Sequence, residues 1–344
     1  MSAINQIAEK TRLSYVTVAE ILRGRKGYNA KTCQRVLKLA RELNYQPNYL
    51  GKALAGGRSM SIGVIISSLD SPIEVGKLKE IEFQASANGY RCYLLTHHSF
   101  LFAQPADAQP TLADSLNDLI QRRIDGLMVY VVHPLPREVL AILRKATIPV
   151  VHIDWAPPEA QQVIRIERQA ALRDLAKHLA GLGHRRAVFH QRAPGRMIQP
   201  LQKALRKENL HLEAPPEWST TGHSPDFETQ ACALASERFR QGDVPPLLIC
   251  HLDQAAVGVL AACHDAGLKV PQDISLVGWG GLPCAQTCRP QLTTVREPGV
   301  GVGEQAFKWL DMLMRKTKDI AGCTTFAAHL TIASTTGQCA GGIL

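Results

Sequence analysis

Two hydrophobic periodicities divide the chain. In the first forty or so positions apolar residues recur at three- and four-residue steps: Ile4, Ile7 and Ala8, then Val18, Ile21 and Leu22, then Val36, Ala40 and Leu43. These steps predict three short helices, the first two joined by a tight turn at 11–14. Ser14 and Asn29 stand where the second and third helices begin, and both are good N-caps. With Ile7, Ala8, Leu13, Val18, Ile21 and Leu22 turned inward, Tyr15, Val16, Ala19, Glu20 and Arg23 fall on the opposite face. This is the plan of a helix-turn-helix, whose second helix enters the major groove.

From Ile62 the pattern changes to short apolar runs at 62–66, 92–95, 126–132 and 150–153, separated by amphipathic stretches such as 75–87 and 112–124. The rhythm repeats after Val163, with helices expected over 170–182, 200–208, 227–240 and 254–266 and strands over 186–190, 247–250 and 274–279. Alternation of this kind predicts two doubly wound parallel α/β units behind an all-α head. Their ligands belong beyond the carboxyl ends of the strands, in the cleft between the two sheets.

Charge sharpens the reading of the head. Residues 1–60 hold eleven Lys and Arg against three Glu, so +8 of the chain's net +9 sits in its first sixth. A solvated basic face is the ordinary meaning of such a run. Attached to a nearly neutral remainder, it points to phosphate contacts. No apolar stretch is long enough to span a membrane and no leader-like segment precedes the helices, so a cytoplasmic location is expected. The nine cysteines are scattered without a CxxC pair, consistent with reduced thiols rather than a metal site. Neither a GxSxG elbow nor an HExxH motif occurs, and 299–303 lacks the third glycine of a dinucleotide loop. No catalytic set, cofactor or metal is therefore predicted.

Several motifs carry a family resemblance. Ser14-Tyr15-Val16-Thr17-Val18, Tyr45-Gln46-Pro47-Asn48, Leu54-Ala55-Gly56-Gly57-Arg58, Ile62-Gly63-Val64-Ile65, Leu182-Gly183-His184-Arg185-Arg186, the run from Gly267 to Gly278 and Leu292-Thr293-Thr294-Val295 follow one another in family order. Together they resemble the lactose-repressor (LacI/GalR) family of bacterial transcription regulators over almost the whole chain. The resemblance implies a helix-turn-helix domain at 1–46, a hinge helix and linker at 47–60, a first core subdomain at 61–165 and 293–321, and a second at 166–292 and 322–344. It also implies a periplasmic-binding-protein-like core that crosses between subdomains near Ile166, near Val295 and after Gly322.

By the same resemblance, a homodimer grips a pseudo-palindromic operator. Ser14, Tyr15, Val16, Thr17, Glu20, Asn29 and Asn48 face DNA, and the hinge wedges Leu54, followed by Ala55, into the minor groove. The helices at 75–87 and 254–266 contribute to the dimer faces, and no heptad repeat follows to build a coiled-coil tetramer. A small-molecule effector, sugar-like or altered, would meet Asp70, Arg196, Trp218, Asp253 and Trp279. From the residues alone, Asp70 can equally cap a loop, Asp253 a helix, and Trp218 can fill the core.

Departures from the family pattern qualify this picture. Leu252 replaces an asparagine, Trp279-Gly280-Gly281 replaces an aromatic followed by aspartates, and Glu167-Arg168 stand where an acid and an amide are usual. Arg12 takes the place of a turn glycine. Glu20 often stands as arginine in the family; glutamate could accept from cytosine N4 or pair with Arg23. Either the effector is chemically different, or the pocket is degenerate and DNA binding is ligand-independent. An enzyme on the two-lobed scaffold is the third possibility.

Overall fold

A computed structural model describes residues 3–22, 25, 27–43, 45, 58–96, 111–191, 198–220, 226–317 and 322–339. The chain divides into two compact units, 1–60 and 61–344. The expected hinge helix, with Asn48, Leu54 and Ala55, lies outside the described residues, as do Arg196, Arg23 and the pair His97-His98.

The first unit contains α1 (Ala3–Thr11), α2 (Tyr15–Leu22) and α3 (Ala30–Glu42). Ile7, Val18, Ile21, Val36 and Ala40 form its core, with Ile4, Ala8, Leu13 and Leu22 packed around them. Ala19 is buried at 6% exposure and not on the open outer face expected of it. The α1–α2 turn places Arg12 at φ +54°, the left-handed region in which a glycine carries no steric cost. It is held on both sides: Leu13 N–H bonds Ala8 O at 3.1 Å, and the Arg35 guanidinium of α3 reaches Thr11 O at 2.6 Å.

The second unit contains two six-stranded sheets. The first has the order β11-β5-β4-β3-β1-β2, from β1 (Ser61–Ile66), β2 (Arg91–Thr96), β3 (Gly126–Val131), β4 (Val150–Asp154), β5 (Val163–Glu167) and β11 (Cys323–Ala327). All its pairings are parallel. The second has the order β12-β10-β9-β8-β6-β7, from β6 (Arg186–His190), β7 (His211–Glu213), β8 (Leu247–Cys250), β9 (Ser275–Gly280), β10 (Thr293–Arg296) and an antiparallel edge, β12 (His329–Thr331). The central strands β3, β8 and β9 are buried along their whole length, as parallel strands covered on both faces must be.

The connecting helices are α4 (Pro72–Ala87), α5 (Leu112–Gln121), α6 (Arg137–Lys145), α7 (Gln169–Gly181), α8 (Ile198–Lys207), α9 (Phe227–Arg240), α10 (Asp253–Asp265), α11 (Pro283–Thr287) and α12 (Val302–Met314). Two glycines set how closely helices meet. A Cβ on Gly258 of α10 would stand 2.1 Å from the Glu228 carbonyl of α9, and one on Gly303 of α12 would stand 2.8 Å from the Lys77 carbonyl of α4.

Strand membership corrects the expected subdomain boundaries. β10 pairs with β9 in the second sheet and β11 with β5 in the first. The crossings therefore follow Glu167, Arg296 and Ala327, so 293–296 and 322–327 exchange lobes relative to the expectation. These short, threonine-containing stretches carry no pattern that selects a sheet; the pairing decides.

Candidate nucleic-acid interface and interlobe site

On α2, Ser14 acts as the cap: its Oγ accepts from Thr17 N–H at 3.1 Å and lies 2.9 Å from Thr17 Oγ1. That fixes the start of the helix and leaves Tyr15 and Val16 standing out at 53% and 63% exposure. Both are large apolar surfaces with no place in the core, on the face a recognition helix offers to base edges. Asn29 caps α3, its side chain accepting from Lys31 N–H at 2.9 Å. Glu20 forms an ion pair within the domain, with Arg25 as the arginine. Its carboxylate is engaged by Arg25 and by the Tyr28 hydroxyl, so the acid is occupied within its own domain instead of facing outward toward cytosine.

In the second unit a cavity of about 800 Å³ opens between the sheets. Its walls come from residues at or just beyond the carboxyl ends of strands: Ser71 and Glu74 after β1, Tyr130 in β3, Asp154 and Trp155 around the end of β4, Arg168 after β5, Phe189 and Gln191 around the end of β6, His251 and Leu252 after β8, Trp279 in β9 and Glu297 after β10. The position is that expected of a doubly wound pair.

Among the expected effector residues, the cavity walls include Trp279, whose indole N–H donates to Glu297 at 3.2 Å. The others described lie elsewhere. Asp70 sits in the β1–α4 loop, its N–H on Ser68 Oγ at 3.0 Å, and does not line the cavity. Asp253 is fully buried; it accepts from Thr294 Oγ1 at 2.5 Å and Leu282 N–H at 2.6 Å. It ties α10 to the β9–β10 region, and burial raises its pKa. A Cβ on Gly278 would stand 2.3 Å from its carboxylate, so the glycine makes room for this tie. Trp218 is 1% exposed, packed in the second lobe's core, with its indole N–H on Asp243 at 2.8 Å. Its location answers the need of a large ring for burial and one acceptor.

The residues that the pattern did not single out carry the polar structure of the cleft. The Arg168 guanidinium makes bidentate bonds to Asp154, at 2.9 and 2.7 Å, and to Glu297, at 2.5 and 3.1 Å. Its pKa is pushed further up: burial opposes the charge, but the carboxylates overcome it. Glu74 accepts from Ser67 and Ser68 N–H groups, each at 3.1 Å. Burial nevertheless raises its carboxyl to about 7. Lys77, one turn along α4, is 1% exposed, lies 3.9 Å from Glu297 and stands over the Tyr130 ring at 5.3 Å. Its pKa is lowered by the same desolvation. Only the unusual Glu167-Arg168 pair flagged this cluster in the sequence. On the second lobe's wall, His251 stacks on His190 at 5.4 Å and meets Phe227 edge-on at 5.8 Å.

Known proteins share this architecture. A periplasmic binding protein-like domain model matches residues 176–336. The HTH-type transcriptional repressor PurR of Aliivibrio salmonicida is 27% identical over 333 residues, covering 93% of each chain. Among solved structures, the lac repressor dimer bound to operator and the anti-inducer ONPF superposes with TM-score 0.77 at 24% identity, over 96% of this chain and 98% of that one. A LacI-family regulator from Silicibacter pomeroyi gives TM-score 0.81 at 20% identity, over 97% and 99%. Among the described residues no helix is long and apolar enough to cross a membrane. The basic helix-turn-helix head, the two-sheet core and the match to repressors over 93% of the chain make it similar to the lactose-repressor (LacI/GalR) family of DNA-binding transcription regulators.

Proposed function

We propose that the chain is a repressor that binds a pseudo-palindromic operator as a homodimer, acting in the cytoplasm where its DNA is. The observation that carries the reading is the exposed Tyr15-Val16 face on a capped α2, in the part of the chain that holds nearly all its excess positive charge. Tyr15, Val16 and Thr17 face bases or backbone, and Ser14, Asn29 and Asn48 serve the phosphate side. Leu54 and Ala55 supply the minor-groove wedge. Glu20 positions Arg25 and Tyr28 instead of reading a base. Val16 offers only methyl groups, a surface suited to thymine.

A single small head gives too little specificity, and two-fold DNA suits a two-fold protein. A second copy has an apolar surface to meet on the first lobe, where Phe83 is 68% exposed on α4 and Tyr93 and Leu94 are 40% and 37% exposed on the edge strand β2.

The interlobe cavity is the place for an effector. Tyr130, Trp155, Phe189, His251 and Trp279 give it ring-bearing walls, and Arg168 is already neutralised by two carboxylates. An uncharged, ring-shaped molecule fits such walls better than an anion. The second reading, a regulator that needs no effector, is favoured by that same occupied arginine.

The test is selection of genomic fragments by the full chain, followed by titration of the winning site. Recovery of a two-fold symmetric site bound by two chains, with affinity lost in Val16→Arg, is the expected result. Enrichment of no sequence, or of an asymmetric site bound by one chain, would overturn the proposal.

A further inference from the structure

Two of the crossings and two strands, β4 and β9, meet in one cluster of side chains around Arg168 and Glu297. Arg168 is the first residue after β5, at the first crossing, and Glu297 the first after β10, at the second. Their bidentate bond therefore joins the two crossings side to side. Asp154, at the end of β4, anchors the same guanidinium to the first lobe. Trp279, in β9, donates to Glu297 from the second lobe. The third crossing joins in through the backbone, where Ala328 N–H bonds Glu167 O at 2.8 Å. The side chains involved are largely withdrawn from water, at 18% exposure for Arg168, 12% for Asp154 and 4% for Glu297.

Lobe rotation in a two-lobed protein is absorbed by a few element-terminal residues, and a bound ligand ordinarily bridges the lobes in the closed form. Here a side chain of the protein makes the bridge. Asp154 sits at φ +70°, a left-handed conformation that aspartate adopts more readily than most non-glycine residues. Arg168 has Asp154 and Glu297 as counter-ions, so the guanidinium needs no ligand charge to neutralise it.

We propose that Arg168 is a resident latch: its double fork to Asp154 and Glu297 fixes the angle between the lobes in the absence of any ligand. A small molecule entering the cleft then changes that angle only by displacing the fork. The inference concerns the core alone and holds whether or not the cavity takes an effector.

The experiment is hydrogen exchange read by mass spectrometry on the full chain, without ligand, comparing wild type with Arg168→Lys and with Arg168→Asn/Glu297→Gln. Lysine keeps the charge but cannot form the paired fork. The expected result is exchange at least about tenfold faster at all three crossings, 165–169, 294–298 and 327–329, while β3 and β8 keep wild-type protection. Loosening of the third crossing is diagnostic, because Arg168 does not touch it. Wild-type rates at the crossings in both variants would overturn the latch. If the double variant loses protection everywhere, the lysine variant decides: crossing-only loosening supports the latch, and global loss of protection there overturns it by showing a general stabilising role.

Discussion

Replacing Glu74 by glutamine gives the most quantitative check on the chemistry of the cleft. Glu74 is 6% exposed, and burial lifts its carboxyl from 4.5 to about 7 despite two backbone donors that favour the anion. The folded protein thus binds this proton more tightly than the unfolded chain does. Stability is highest below pH 4.5, falls as pH rises through the window from 4.5 to about 7, and is level above it. The rise corresponds to about 3 kcal/mol at 1.36 kcal/mol per pH unit. Glutamine has the same shape and can accept from Ser67 and Ser68, but it carries no titrating group. Glu74→Gln should therefore match wild type near pH 4.5 and exceed its stability by up to about 3 kcal/mol at pH 8. Lys77 lies close by with a lowered pKa and adds its own pH dependence to both proteins, so the difference between the two curves is the quantity to read. Urea unfolding of both proteins at half-unit steps from pH 4.5 to 8, monitored by circular dichroism, supplies it. A difference that does not change with pH would refute the assignment of a buried, proton-holding carboxyl to Glu74.

Further outcomes follow from single sites. Arg12→Gly removes a left-handed arginine and should stabilise the head by about 1 kcal/mol, seen as slower amide exchange in α1 and α2; unchanged or faster exchange would contradict the strain argument. Trp218→Ala empties a core position and strands Asp243, so a loss of about 3–5 kcal/mol in urea unfolding is expected. The same substitution should leave any cleft ligand's affinity unchanged where the protein remains folded, and a selective loss of that affinity would return Trp218 to the site. Gly258→Ala drives a methyl against the Glu228 backbone carbonyl, which has no freedom to yield, and should cost about 1–3 kcal/mol or more; a melting temperature equal to wild type would mean α9 and α10 slide apart freely. Val16→Ala, on an exposed face, should leave the unfolding free energy within about 0.5 kcal/mol of wild type and weaken binding to the selected operator.

The local features of this protein were legible in its sequence because they depend on neighbours along the chain. The three- and four-residue apolar steps gave α1, α2 and α3; Ser14 and Asn29 gave their caps; strand Arg186–His190 and helix Phe227–Arg240 fell where the alternation put them. The exposed Tyr15-Val16 pair follows from the same helical arithmetic. What needed the tertiary structure was every feature made by distant pairs. For Glu20 the sequence leaves base readout and an ion pair both open; the fold brings Arg25 and Tyr28 to it. Asp253 and Trp218 have the chemistry of sugar contacts, yet Thr294 and Asp243 claim them for the second lobe. Arg168 and Glu297 are 129 positions apart and meet only because two crossing strands run side by side. Periodicity records which face of an element is buried; it does not record which partner waits there, and the composition of the cleft is set by partners.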